Sequence, residues 1–428
     1  STADLLYQTL NVLVPIVTFA MSDAIIRFGL DNAYDKRKVY TSAVLLTTLG
    51  MLVFALTTPI WNATSFYHGY TFLLYGYCYF SVFRSLASQF TRAKGMVKLF
   101  AIDGIFATLT QFVCNLIFML WLDMGITGYI LSFIVSDLIS LILLTVFAQL
   151  YKCLDTKFIS RKLIREMLKY SAPLIPTYLL WWITSASDRV FVIKMVGESD
   201  NGIYSVAYKL PTLLMLVTTM FYQAWQMSSI EEKDSAELGK FFRSVFSVYS
   251  SLMYVAAAGL IMISKPMTDL LTSGDSYNGA EKYTVILIIA MVFQCFCQFL
   301  SSIYSVKKKS ANSCYTALSA AVVNIVLNFL LIPHFRVYGA AIATAAAYGT
   351  CFVIRIFDAR KFIRFRVDHL RLILNTAFVI AMSVISITEP KLYVLWIILC
   401  FAAVAVLNFG ALKLTVKKLF GRFFRKTA

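Results

Sequence analysis

The chain is poor in the residues on which most enzyme chemistry is built. Only three histidines serve 428 residues. His68, His334 and His369 all fall near the ends of apolar runs, where interfacial packing is their ordinary use. No Ser/His/Asp set can be assembled from them. The eight cysteines are scattered through or beside the apolar runs and form neither a CxxC pair nor a Cys/His cluster, which argues against metal or disulfide roles. No GxxxxGK[ST] loop is present, so the chain does not itself hydrolyse ATP. No cofactor and no catalytic group are expected. Charged residues are only 14% of the chain.

What fills the sequence instead is apolar: 59% of residues are hydrophobic. Runs of about 20 apolar residues, the length that crosses a bilayer as a helix, recur from end to end. The pattern predicts an all-α polytopic membrane protein of thirteen spans, at about 4–28, 39–61, 66–91, 97–121, 126–149, 168–194, 202–228, 241–264, 281–305, 311–333, 338–359, 369–388 and 392–413. The net charge of +17 is distributed unevenly. Most Lys and Arg fall in alternate connections, such as Lys36–Lys38, Lys307–Lys309 and 360–371, and in the tail after Lys413. A nucleic-acid surface would not alternate span by span. The positive-inside rule places the basic set, and the C-terminus, in the cytoplasm. Thirteen is odd, so Ser1 is expected outside, and a further span is expected to precede it.

The longest polar connection divides the chain. Within 150–168, apolar Phe158, Ile159, Leu163 and Met167 alternate with basic residues at helical spacing. They predict an amphipathic helix on the cytoplasmic face. The organisation expected is an N-lobe at 1–149, this linker helix, a C-lobe at 169–364, two additional spans at 365–413 and a basic tail at 414–428. "NLIFMLWLDMGITGYILS" (115–132) and "NIVLNFLLIPHFRVYGAAIA" (324–343) resemble each other and keep one orientation. The halves therefore read as parallel repeats about an axis along the membrane normal.

A charge at the bilayer centre costs at least ~2.5–3.5 kcal/mol on insertion scales, so each intramembrane charge calls for a partner. Helices rise 1.5 Å per residue, so residues equidistant from a turn share a depth. By that count Arg84 and Asp103 form a structural ion pair, Asp137 falls opposite Gln111, and Asp23 pairs with Arg27 one helical turn on. Asp188 and Arg189 are adjacent, and Lys209 shares their depth, which leaves one carboxylate facing two cations. Arg355, near a span end, is expected to snorkel. Pro15, Pro173, Pro176 and Pro211 predict kinks. Gln223 and Gln226 add polarity to 168–228, and the concentration points to a water-filled cavity.

"YSAPLIPTYLLWWITSASDRVFVIKM", "NGIYSVAYKLPTLLMLVTTMFYQAWQMSSI", "VPIVTFAMSDAIIRF" and "GAAIAT" resemble the polysaccharide-transporter, Wzx-type flippase branch of the MOP exporter superfamily. The resemblance implies two six-helix lobes around a hydrated cationic cavity, and a polyprenyl-diphosphate-linked oligosaccharide moved from inner to outer leaflet. It implies Arg27, Asp188, Arg189 and Lys209 as cavity residues. Membrane lipids and polysaccharide polymerase machinery are the expected partners, with no nucleic acid. The alternatives are a cation-coupled MATE-type drug exporter, a lipid II flippase, or a membrane glycosyltransferase or ligase. Short outer connections oppose the last.

Overall fold

The structure is a computed structural model. It describes residues 12–59, 70–233, 235, 237–271 and 279–425, with backbone alone for 414–425. Every regular element among them is helical. The chain divides into two compact units: residues up to Leu179 together with Lys308–Ala311, and Leu180–Lys307 together with Asn312 onward.

The first unit holds α1 (Met21–Gly29), α2 (Lys36–Leu56), α3 (Thr71–Ala93), α4 (Val97–Asn115), α5 (Gly125–Phe147) and α6 (Arg161–Ser171). A helical stretch at 12–17 precedes α1, and Phe19 and Ala20 between them have φ near +50°. Each such residue strains an L side chain by roughly 1–2 kcal/mol. Pro15 therefore stands before a full break in the helix and not a smooth kink. Gly50 of α2 lies against that break: a Cβ there would sit 1.9 Å from the Val17 carbonyl oxygen.

In α5 nearly every position is apolar, so hydrophobicity cannot choose the buried face. Small and polar residues do. Gly128, Ser132, Ser136, Asp137 and Ser140 are buried, while Ile142, Val146 and Phe147 are exposed. Without a hydrophobic drive between helices in lipid, close packing and interhelical hydrogen bonds decide the interface. The α5 face packs on α3 and α4.

The predicted amphipathic helix is α6. Ser160 caps it through the Leu163 N–H. It buries Leu163, Met167 and Tyr170 against α1 and α2, so its apolar face covers protein. Phe158 ends a separate 3-10 turn, Thr156–Phe158, outside α6.

The second unit contains α7 (Leu174–Met195) from Leu180 on, α8 (Glu198–Ala207), α9 (Thr212–Glu231), α10 (Leu238–Met262), α11 (Ser264–Leu271), α12 (Ala280–Val306), α13 (Ser310–Phe335) from Asn312 on, α14 (Val337–Ala359), α15 (His369–Thr388) and α16 (Tyr393–Arg425). Its axis is α12, which packs on α14, α9, α10 and α15. An aromatic cluster ties three of these helices together. Phe221 stacks on Tyr249 at 4.5 Å, Trp225 on Phe299 at 5.1 Å, and Trp225 meets Phe242 edge-on at 4.8 Å. The Trp225 indole also donates to Ser302 at 2.8 Å.

Nine helices among the described residues are long and apolar enough to cross a membrane, and a tenth if α8 and α9, bent by 46° beside Pro211, are one span. Thirteen were expected. The span at 4–28 lies partly outside the described residues. The other two correspond to α3 and α7, which are 23 and 22 residues long. Arg84 and Arg92 in α3, and Asp188, Arg189 and Lys194 in α7, make these helices less apolar than the rest.

Candidate functional site

The second unit holds a buried carboxylate that meets no cation among the described residues. Asp188 of α7 is fully buried. Asn324 and Asn328 are one turn apart on α13, and both side-chain amides reach its Oδ1, at 2.9 and 2.7 Å. The Tyr204 hydroxyl of α8 donates to Oδ2 at 2.9 Å, and Thr344 of α14 donates to the same oxygen. The amides are oriented by their own neighbours. Ser187 donates to Asn324 Oδ1 at 2.5 Å, and Asn328 Nδ2 does so at 3.2 Å. Asn328 Oδ1 and the Tyr208 hydroxyl are buried with no hydrogen-bond partner among the described residues.

Every group around Asp188 is therefore a neutral donor. Such bonds to a charged acceptor are worth about 1.5–3 kcal/mol each, which offsets only part of the desolvation of a buried charge. Two occupants would complete the set: a proton on the carboxyl, or one small monovalent cation held by the carboxylate and the spare amide oxygen. A divalent ion would find too little charge. No group of three or more His, Cys, Asp or Glu that could hold a metal exists among the described residues.

The expected pairing of Asp188 with Arg189 or Lys209 is corrected by this geometry. Successive helical residues point about 100° apart, so Arg189 turns away from the buried Asp188. Arg189 and Lys209 are exposed, and neither side chain is hydrogen-bonded or ion-paired among the described residues. Gln226 is buried and Gln223 half-buried on α9.

The first unit contains two ionic clusters. Arg27 does not pair with Asp23. It lies 3.0 Å from Asp31 on its other side, and Asp23 accepts from the Tyr178 hydroxyl at 2.7 Å. Lys308 Nζ lies 3.7 Å from Asp31 and donates to the Tyr34 hydroxyl at 2.8 Å. It stands 4.4 Å from the centres of the Phe28 and Tyr34 rings, within cation–π range. Tyr34 in turn donates to Glu166 at 2.8 Å. Burial, reinforced by Glu166, pushes the Tyr34 hydroxyl up to about 12.

In the second cluster Arg84 lies 3.6 Å from Asp103 and 3.0 Å from Asp137. Asp137 thus joins the arginine and not Gln111. Ser140 ties the group together, accepting from Arg84 Nε at 2.8 Å and donating to Asp103.

Arg355 does not snorkel. It is 1% exposed and donates to Thr316 at 2.9 Å, to the Cys297 carbonyl at 2.6 Å and to Ser301 at 2.5 Å. The Trp181 ring lies 5.5 Å from its guanidinium carbon.

The sequence profile described as "Polysaccharide biosynthesis protein" matches residues 4–226, more than half of the chain. The chain belongs to this family. The MatE profile matches residues 173–330, so the family member falls within the MOP superfamily. A Haloferax volcanii protein named "Probable low-salt glycan biosynthesis flippase Agl15" is 22% identical over 219 residues, 49% of this chain and 45% of that protein. An uncharacterized membrane protein of Methanocaldococcus jannaschii is 23% identical over 264 residues, 56% of this chain and 60% of that one. The chain thus spans about half the length of the curated relatives it matches.

Among solved structures, the outward-facing conformation of a multidrug resistance MATE family transporter has a TM-score of 0.71 at 13% identity, covering 84% of this chain and 88% of that one. A MOP superfamily transporter from Pyrococcus furiosus, described as having a binding pocket of reverse polarity, scores 0.70 at 14% identity over the same shares. These likenesses show the MATE-like transporter fold. The polysaccharide family member is a polytopic membrane protein with this fold.

Sequence reasoning singled out Asp188 but missed Tyr204, Asn324, Asn328 and Thr344. The signal was present: two Asn one turn apart inside an apolar span rarely face lipid.

Proposed function

We propose that the chain moves a polyprenyl-diphosphate-linked oligosaccharide from the inner to the outer leaflet of the bacterial cytoplasmic membrane. The observation that carries this reading is the state of Arg189 and Lys209. A membrane charge that protein does not cover must meet water or an anion and not lipid. Two such cations, unpartnered among the described residues, suit a diphosphate, which an arginine fork engages in two places. The family and the flippase relative support the same substrate class.

The physics requires a carrier. Each sugar hydroxyl costs roughly 2–7 kcal/mol to bury without a hydrogen bond, and a diphosphate far more. A polar path removes that barrier while the lipid tail stays apolar. An apolar groove of about 940 Å³, lined by Ile286, Phe293, Ile342, Val353, Ile380 and Val384, suits an alkyl chain. An anion leaving a negative-inside cell gains about 2.3 kcal/mol per charge per 100 mV, so the membrane potential can drive export.

A second reading is favoured by the Asp188 pocket: export coupled to a proton or monovalent cation, as in the MATE-type alternative. The two are separated by flipping in proteoliposomes. Arg189→Ala and Lys209→Ala should each lower oligosaccharide-lipid flipping at least tenfold with folding unchanged. Full activity in both variants would sink the diphosphate role. Flipping that ignores an imposed potential but follows a sodium or proton gradient would favour the coupled reading.

A further inference from the structure

Three arginines converge on one small pocket at the end where α10 and α15 begin. The pocket, about 90 Å³, is lined by Arg243, Ser247 and Ser250 of α10, by Arg366, and by Arg371 and Asn375 of α15. Asp368 is the one acid in its wall, and its carboxylate is engaged by the Arg371 N–H at 3.1 Å.

Arg371 is fixed in place. It donates to Asn408 at 2.9 Å and to Ser247 Oγ at 3.0 Å. Ser247 Oγ accepts there, so its own hydrogen is free to donate. Arg243 and Arg366 are exposed and have no hydrogen-bond or ion-pair partner among the described residues. Like charges brought together around so small a space repel unless an anion sits between them.

The depth of the pocket identifies the anion's source. Arg243 is the sixth residue of α10 and Arg371 the third of α15, so both lie at the same membrane boundary. It is also the boundary at which the basic connection 360–371 runs. Beside the arginines the pocket wall is apolar, with half-buried Val367 and Leu372. A phosphate at the arginines with the start of its acyl chains against Val367 and Leu372 satisfies both features.

We propose that this pocket binds the phosphodiester headgroup of an anionic phospholipid. Arg243 and Arg366 close on the phosphate, and Ser247 and Arg371 form its floor. Basic pockets between spanning helices recognise anionic headgroups in this way. The site is separate from Arg189, Lys209 and Asp188, and stands whatever the transported substrate proves to be.

The test is native mass spectrometry of the full chain taken from mixed phosphatidylglycerol and phosphatidylcholine. Wild type should retain phosphatidylglycerol in preference. At about a fivefold factor per cation near an anionic surface, Arg243→Gln with Arg366→Gln should weaken retention about thirtyfold. Arg364→Gln, which lies outside the pocket, should leave it unchanged. Lysine at both positions should keep most of it, which separates lost charge from lost fold. Equal retention by wild type and the double Gln variant would overturn the proposal. So would inorganic phosphate raising the wild-type melting temperature as far as phosphatidylglycerol does, because the site would then be one for a free ion.

Discussion

Replacing Asp188 by asparagine should leave the protein folded and at least as stable, whereas replacing it by leucine should not. The difference follows from the four donors. In Asp188→Asn the new amide oxygen can take the place of Oδ1 and accept from Asn324 and Asn328. The new NH2 then points at the Tyr204 and Thr344 hydroxyls, which rotate to accept, since a hydroxyl both gives and receives. All bonds survive and a buried charge disappears. In Asp188→Leu the volume is similar but no acceptor remains. The Thr344 hydroxyl can turn to a carbonyl of its own helix, but the Tyr204 hydroxyl, at the far end of its ring, loses its acceptor. Asn324 and Asn328 keep one partner each, Thr344 and Asn324 Oδ1, but each loses its bond to the carboxylate, and a buried donor left unsatisfied costs about 1–3 kcal/mol. Thermal unfolding of the purified protein, followed by fluorescence-detected size exclusion, should rank Asn at or above wild type and Leu well below. Flipping measured on the same samples should fall in both variants if the carboxyl carries a proton or cation. A loss of stability in Asp188→Asn as large as in Asp188→Leu would refute the reasoning. It would mean that the negative charge itself is held by a cation in the resting fold.

Two further outcomes test the first unit. Arg84→Ala leaves Asp103 and Asp137 facing each other without their shared cation. Breaking a buried pair costs about 3–5 kcal/mol, toward the low end here because Arg84 is 28% exposed, and adding Asp137→Asn should recover part of the melting temperature. Tyr34 has a hydroxyl raised from 10 to about 12. Its contribution should therefore be complete below pH 10 and lost as pH rises through about 12. The difference in tyrosinate absorbance between wild type and Tyr34→Phe should titrate at that high value, and a midpoint at 10 would refute both the burial of the hydroxyl and its contact with Glu166.

Much of the architecture was legible because hydropathy in a membrane protein is a strong signal. Span ends such as 338–359 and 369–388 differ from α14 and α15 by a residue or two at most. What hydropathy cannot express is which polar residue meets which. The depth count brought Arg84 to Asp103, but it treats a helix as a line. Asp137 was matched to Gln111 at equal depth, while the side-chain direction sends it to Arg84. Asp188 and Arg189 failed for the same reason: adjacency along the chain means divergence around the helix. Nearness to a span end does not reveal the burial of Arg355, which Ser301, Ser313 and Thr316 on neighbouring helices make possible. The partners of Asp188 lie up to 156 residues away in the chain, and no local pattern spans that distance.

That separation also sets an order in time. Arg355 emerges after the residues that receive it, since Cys297, Ser301, Ser313 and Thr316 all precede it. Asp188 emerges before most of its own. Tyr204 follows soon, but Asn324, Asn328 and Thr344 come 136, 140 and 156 residues later. At roughly 5–20 residues per second of synthesis, α7 waits on the order of ten seconds with its carboxylate uncovered. The helix that carries the candidate site is among the first of its unit to be made, and among the last to settle.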